Sequence, residues 1–322
     1  MSKRYDVVAL GELLIDFTEN GASDQGNPIF EANPGGAPCN VLAMLRKLDR
    51  RCAFIGKVGD DVFGRRLKGV AEAAGIDMSA LRMDSAVHTT LAFVSTDAYG
   101  DRDFSFYRNP GADMMLTEGE LPLDMLRDTR VFHFGTLSMT HEAVRQATKT
   151  AVLEAKRAGA VISFDPNLRE PLWESLNDAK AQILWGLSQS DVVKIADNEI
   201  EFLTGTADFD KGATLIRNRF SNIRLLNVTA GANGSYAYCQ DKRVFVPSFL
   251  LGGTIETTGA GDTFCASVLD FILERGLDGL TRDDLKGMLR FANAAAYLVT
   301  TRKGAIRSMP ERAQVEAILN EH

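Results

Sequence analysis

A chain of 322 residues with an apolar fraction of 45% can bury a large core, either as one sizeable α/β domain with an insertion or as two domains. Its formal net charge of −7 argues against a nucleic-acid partner, which would require a basic face. Four dispersed cysteines (Cys39, Cys52, Cys239, Cys265) make neither a disulfide framework nor a zinc pattern and read as buried free thiols of a reducing cytosol.

The first strand is expected over 5–10, a β-branched run closed by Gly11. It is too short for a signal or membrane helix and runs into charged Glu12, so a soluble, cytoplasmic protein without a membrane partner is expected. Asp16 follows Leu13-Leu14-Ile15, where the chain leaves the core sheet for a polar stretch over 18–27. Its carboxylate can accept two hydrogen bonds from a diol, or it is a solvated loop residue. Asn33-Pro34-Gly35-Gly36-Ala37-Pro38 marks a sharp turn before a helical run over 40–48. Gly36 and Asn40 would there present bare amides and a polar side chain to a ligand, or form a capped turn. A buried strand over 51–58 and a helix over 65–74 come next. Gly59-x4-Gly64 continues with Arg65-Arg66, so it is not a P-loop, and no GxGxxG follows a strand.

Residues 89–96 alternate apolar and polar, turn at 101–103 and return as a strand over 104–108. With 17–32 this hairpin is expected to form a small sheet laid over a cleft. Arg108 ends its exposed strand. Beyond residue 130, strands over 131–134, 161–164, 191–195 and 223–228 alternate with helical stretches such as 140–158. The pattern implies a mainly parallel sheet covered on both faces. Ligands gather at the carboxyl ends of such strands, and Asp165, Asn167, Arg169, Glu199, Thr229 and Gly231 fall there.

The remaining signal is Glu256-Thr257-Thr258-Gly259-Ala260-Gly261-Asp262-Thr263-Phe264, which opens a helical run over 264–273. Helix N-termini carry unpaired N–H groups and about half a positive charge, and glycines let an anion approach them. Asp262 would repel that anion unless it takes the proton of a hydroxyl attacking a bound phosphate. The plainer reading is a tight loop with a first-turn acid. Two anion-friendly loops, a base candidate and scattered hydroxyl binders suggest phosphoryl transfer to a polyol.

At this point the chain resembles the PfkB (ribokinase-like) family of sugar kinases. The match rests on Gly35-Gly36-Ala37-Pro38-x-Asn40 through Gly56-Lys57-Val58-Gly59-Asp60-Asp61-x-Phe63-Gly64, and on Thr257-Thr258-Gly259-Ala260-Gly261-Asp262-Thr263-Phe264. It extends over essentially the whole chain. The resemblance implies a three-layer α/β/α ribokinase-like fold with a mainly parallel central sheet. It implies one kinase domain over 1–322, with lid segments at 13–34 and 89–112, and relatives of this kind often dimerise through such lids. The segments 11–17, 106–114 and 165–173 resemble the fructokinases in particular.

The resemblance also assigns roles. Asp262 would be the general base toward a sugar hydroxyl attacking ATP, with the amides of Gly259, Ala260 and Gly261 as an anion hole. Asp16, Gly36, Asn40, Arg108 and Arg169 would hold the sugar. Thr229, Gly231 and Gly234 would lie along the nucleotide phosphates and ribose, and Asn293 beside adenine. Glu199 would order Mg²⁺ through water. A K⁺ site would involve Glu256, Thr258, Gly304 and Ser308, although many relatives have Asp at the position of Glu256, and the family's Asn-x-x-Glu is Ala196-x-x-Glu199 here. Two rivals to a fructokinase follow. One is a 2-keto-3-deoxygluconate kinase, its substrate carboxylate clamped by Arg108 and Arg169. The other is a non-catalytic sugar- or nucleotide-binding regulator, against which the intact Asp262 loop counts. The histidines form no cluster and are read as structure.

Overall fold

The computed structural model describes residues 3–96 and 102–322. Strand β1 (Tyr5–Leu10) explains the architecture: all of it is buried, with Val7 and Ala9 in one core and Val8 and Leu10 in another. Side chains of a strand alternate between faces, so a strand apolar on both must be covered on both. The chain continues through β2 (Leu14–Ala22), β3 (Pro28–Gly35), β4 (Cys52–Gly59), β5 (Asp77–Asp84), β6 (Leu91–Thr96) and β7 (Arg102–Tyr107). Then come β8 (Thr129–Gly135), β9 (Val161–Asp165), β10 (Val192–Ala196), β11 (Leu225–Thr229), β12 (Ser235–Cys239) and β13 (Lys242–Val246). The helices are α1 (Ala37–Lys47), α2 (Val62–Ala73), α3 (Leu123–Arg127), α4 (Glu142–Arg157) and α5 (Leu176–Gln189). They are completed by α6 (Asp197–Thr204), α7 (Phe209–Arg219), α8 (Ala260–Arg275), α9 (Arg282–Thr300) and α10 (Arg312–Glu321).

Among the described residues, nine strands form one sheet in the order β13-β12-β11-β10-β9-β8-β1-β4-β5. Pairing is parallel except for the edge hairpin of β12 and β13. Helices α1, α2, α8, α9 and α10 pack on one face and α3 to α7 on the other, as the two cores show. The three-layer α/β/α expectation holds. β1 lies between β4 and β8, so the strand order reverses there. Open α/β sheets bind ligands beyond the carboxyl ends of strands at such a reversal.

A second sheet, ordered β3-β2-β6-β7, stands apart from the first. Its core is aromatic: Phe17 stacks on Phe93 at 4.8 Å between centroids, and Phe30 and Tyr107 meet Phe93 edge-on. The turn expected at 101–103 differs in part. Residue 101 lies outside the described residues, and 102 and 103 are strand. Helix α2 begins at Val62, not at 65, because Asp61 caps it by accepting from the amides of Phe63 and Gly64 at 3.0 and 2.8 Å. The four cysteines are free and buried, and no described helix is long and apolar enough to cross a membrane.

Candidate active site

A cleft of about 760 Å³ opens at the carboxyl ends of the central strands, its walls shared between both sheets. Glu12 follows β1, Asn167 to Arg169 follow β9, Asp197 to Glu199 follow β10, and Thr229 ends β11 with Gly231 just beyond it. The second sheet contributes Asp16, Thr18, Asn33 and Phe106, and the segment before α8 contributes Glu256 to Gly259. Residues from both ends of the chain thus meet in one cavity.

The turn into α1 depends on two glycines. Gly36 has φ 132°, and a Cβ there would sit 2.3 Å from the carbonyl oxygen of Glu12. A Cβ on Gly35 would sit 2.7 Å from Asp16 Oδ2, so bare backbone makes room for that carboxylate. Gly36 has no side chain with which to cap α1. Glu12 takes over, its Oε1 accepting from the amide of Ala37 at 2.8 Å. Burial pushes the Glu12 carboxyl up to about 7.

Asn40, in the first turn of α1, donates from Nδ2 to Asp262 Oδ2 at 2.8 Å. Its Oδ1 is buried and has no partner among the described residues. Gly259, at φ 79°, is the N-cap residue of α8, so Gly261 and Asp262 occupy its first turn, where N–H groups lack intrahelical acceptors. Ala260 differs from expectation: its amide donates to the carbonyl of Thr257 at 3.2 Å, and it does not line the cleft. An anion arriving here would therefore meet the amides around it.

Desolvation raises Asp262 to about 6, and the neighbouring Asp165 adds to this, while Asn40, Lys194 and Arg169 pull the other way. Desolvation also lifts Asp16 to about 7, with Glu256 and Asp262 adding and Arg169 opposing. Both groups ionise as pH rises through these values, and a base works only when ionised. kcat/KM for the sugar is therefore expected to fall as pH drops below about 7 and to fall more steeply below about 6. A pH–rate profile flat over about pH 5 to 8 would contradict this arrangement.

Behind α8 lies a buried charge cluster that the sequence reading passed over in part. Lys194 Nζ is 3.1 Å from Asp165 Oδ1, and both side chains are almost fully enclosed. Burial opposes the ammonium, but the carboxylates of Asp165 and Glu199 outweigh it and keep the Lys194 pKa raised. Glu199 is 3% exposed and spends both oxygens on backbone, accepting from the amides of Leu168 and Ala196 at 2.7 Å each. Burial raises its pKa. Glu199 thus ties the end of β10 to the loop after β9. Among the described residues no group of three or more His, Cys, Asp or Glu could cage a metal. This donor set fits Mg²⁺ carried mainly by nucleotide phosphates and its own waters.

Glu256 reaches across the cleft mouth, its Oε1 accepting from the amide of Gly304 at 2.7 Å. Thr258 and Gly304 line the cleft beside it, whereas the hydroxyl of Ser308 is given to the carbonyl of Lys303. One carboxylate oxygen and one hydroxyl assigned to K⁺ are thus committed to the loop itself. Neither Gly234 nor Asn293 lines the cleft. A Cβ on Gly234 would meet the Val246 carbonyl at 2.3 Å, and Asn293 bridges Ser235 Oγ to the carbonyls of Val246 and Pro247. Both shape the corner between α9 and the edge hairpin.

Arg108 is the clearest departure from the sugar-binding set. Its side chain is 3% exposed, paired with Asp113 at 2.7 Å, and bonded to Thr140 Oγ1 and the Leu137 carbonyl at 2.8 and 2.9 Å. It lies behind the cleft wall, whereas Arg169 lines the cleft. His133 is buried against Ser163 Oγ at 2.9 Å, and desolvation pushes it down to about 3, a neutral core residue.

A carboxylate held by an asparagine at a glycine-lined helix N-terminus, inside an α/β cleft, is an arrangement suited to phosphoryl transfer. The family description "pfkB family carbohydrate kinase" matches residues 4–312. The chain is 42% identical over 315 residues to "Probable fructokinase-2" of Arabidopsis thaliana, covering 97% of this chain and 95% of that one. Its fold superposes on the fructokinase of Xylella fastidiosa with bound ATP at a TM-score of 0.90, with 30% identity, covering 98% and 99% of the two chains. A fructokinase double mutant of Vibrio cholerae O395, bound to fructose, ADP and potassium ion, matches at a TM-score of 0.87 with 29% identity over 99% and 100%. The chain belongs to the pfkB family of carbohydrate kinases.

Proposed function

We propose that the protein is an ATP-dependent fructokinase, moving the γ-phosphate of ATP to the primary hydroxyl of fructose to give fructose 6-phosphate. The observation that carries the reading is Asp262, fixed by Asn40 at 2.8 Å in the first turn of α8. The hydroxyl oxygen attacks Pγ while Asp262 accepts its proton, and ADP leaves with the electrons of the broken bond. The amides of Gly259 and Gly261 stabilise the charge gathering on the phosphoryl oxygens, one such donor being worth about 2.7–4 kcal/mol. Mg²⁺, when bound with ATP, supplies further neutralising charge. Asp16, Gly36, Asn40 and Arg169 serve the sugar, and Thr229 and Gly231 the nucleotide. The second sheet acts as a lid that keeps water from the reacting atoms.

The relatives support fructose over 2-keto-3-deoxygluconate. So does Arg108, whose commitment to Asp113 leaves no pair of cleft arginines among the described residues to clamp a carboxylate. ADP release measured with fructose, ribose, 2-keto-3-deoxygluconate and adenosine tests the proposal, and lack of preference for fructose overturns it. Exposed Ile29 and Tyr107 on the lid suit a homodimer formed there. Sedimentation finding only monomer at micromolar concentration would remove that part.

A further inference from the structure

Lys194 is the buried cation of the cleft that the proposed mechanism leaves without a task. It sits on β10 at 7% exposure, and among the described residues its ammonium makes one hydrogen bond, to Asp165, out of the three it can donate. The rest of the ammonium faces the first turn of α8: a Cβ on Gly261 would stand 3.3 Å from Nζ, with Cε next nearest. Gly261 also has a backbone N–H without an intrahelical acceptor. An ammonium with spare donors and a helix N-terminus therefore converge, and Asp262 lies one residue away. A purely structural ion pair is a weak reason to bury a lysine, since an apolar pair of similar size is often as stable.

We propose that Lys194 is a further catalytic residue, donating from its ammonium to the oxygens of the phosphoryl group in flight. The inference rests on the phosphoryl-transfer reading above. The bond from the sugar oxygen to Pγ forms as its proton passes to Asp262. The bond from Pγ to the β–γ bridging oxygen breaks, its electrons leaving with ADP. Lys194 keeps its protons throughout and faces charge that is greatest midway. Asp165 holds the ammonium in place, and Gly261 leaves the approach open. Such a donor acts on the transition state far more than on the ground state, so its loss falls on kcat.

Two variants test this, Lys194→Met and Lys194→Met with Asp165→Asn. The double variant removes both charges and so avoids stranding a buried carboxylate. With ATP, Mg²⁺ and fructose, both are expected to lose kcat by about 10²–10³-fold while KM for fructose changes by less than about fivefold. ADP binding by calorimetry should persist, and binding of ADP with aluminium fluoride in the presence of fructose, which mimics the phosphoryl group in flight, should weaken by about tenfold or more. The double variant regaining wild-type kcat, or aluminium fluoride binding unchanged in it, would overturn the role and leave Lys194 a structural partner of Asp165. Failure of the wild type itself to phosphorylate any sugar would overturn the kinase reading instead, and this role with it.

Discussion

Asp262→Asn is expected to fold, to bind ATP and fructose, and to lose kcat by about 10²–10⁴-fold, the range a positioned general base supplies. The substitution changes one oxygen to an amide of nearly the same shape. The carbonyl oxygen of the new side chain can still accept from Asn40, so the first turn of α8 keeps its anchor. What is lost is the ability to take a proton. Stability moves the other way. Asp262 holds its proton more tightly in the fold, at about 6 against an ordinary 3.8, so the folded state binds more protons between those values. Stability therefore falls as pH rises through that window, and above it the ionised carboxylate destabilises the fold by an amount on the order of 1–3 kcal/mol. An amide escapes this cost, so the variant should match or exceed the parent in denaturant midpoint at pH 8 while turning over far more slowly. Near-normal turnover would show that another group is the base.

Much of this architecture was legible because its signals are local. β1 is a β-branched run ended by Gly11, and the apolar period after Asp262 belongs to one helix, α8, whose glycines fall in its first turn. The edge hairpin of β12 and β13 was missed because Ser235 to Val246 mixes polar and apolar residues without a buried run, and only β12 is largely covered. The start of α2 was read late because Asp61 was grouped with the turn, although an acid two or three residues ahead of the amides it caps is a recognisable signal.

Site residues divide along similar lines. Asp262 and Asn40 stand in distinctive loops, yet their contact spans 222 positions and no local pattern announces it. Lys194 and Glu12 are single charges in apolar strands or at their ends. Periodicity treats them as noise, and their partners Asp165 and Ala37 lie 29 and 25 positions away. A lone charge inside a run otherwise fit for a buried strand was the available clue, because burying it demands a partner or a ligand. For Asn293 the resemblance gave a place near adenine, while the amide itself is taken up by three partners of the sheet edge.

Arg108 carries the second large effect, on folding and not on chemistry. Arg108→Met is expected to destabilise the protein by about 3–5 kcal/mol, the cost of removing one partner from an enclosed ion pair. Asp113, with its side chain 2% exposed, would keep its bond from Thr90 but lose the charge that justifies its burial. The Leu137 carbonyl and Thr140 would also lose a donor, at the point where the strand leaving the second sheet is fastened to the wall of the cleft. Arg108→Met with Asp113→Leu removes both charges and should recover most of the denaturant midpoint, since apolar replacement of a buried pair is often neutral. A sugar-clamping arginine would behave in the opposite way. Its loss would raise KM for fructose with the midpoint unchanged, and the second substitution would rescue nothing. Measuring KM and midpoint on the same two variants therefore separates an anchor behind the cleft from a ligand within it.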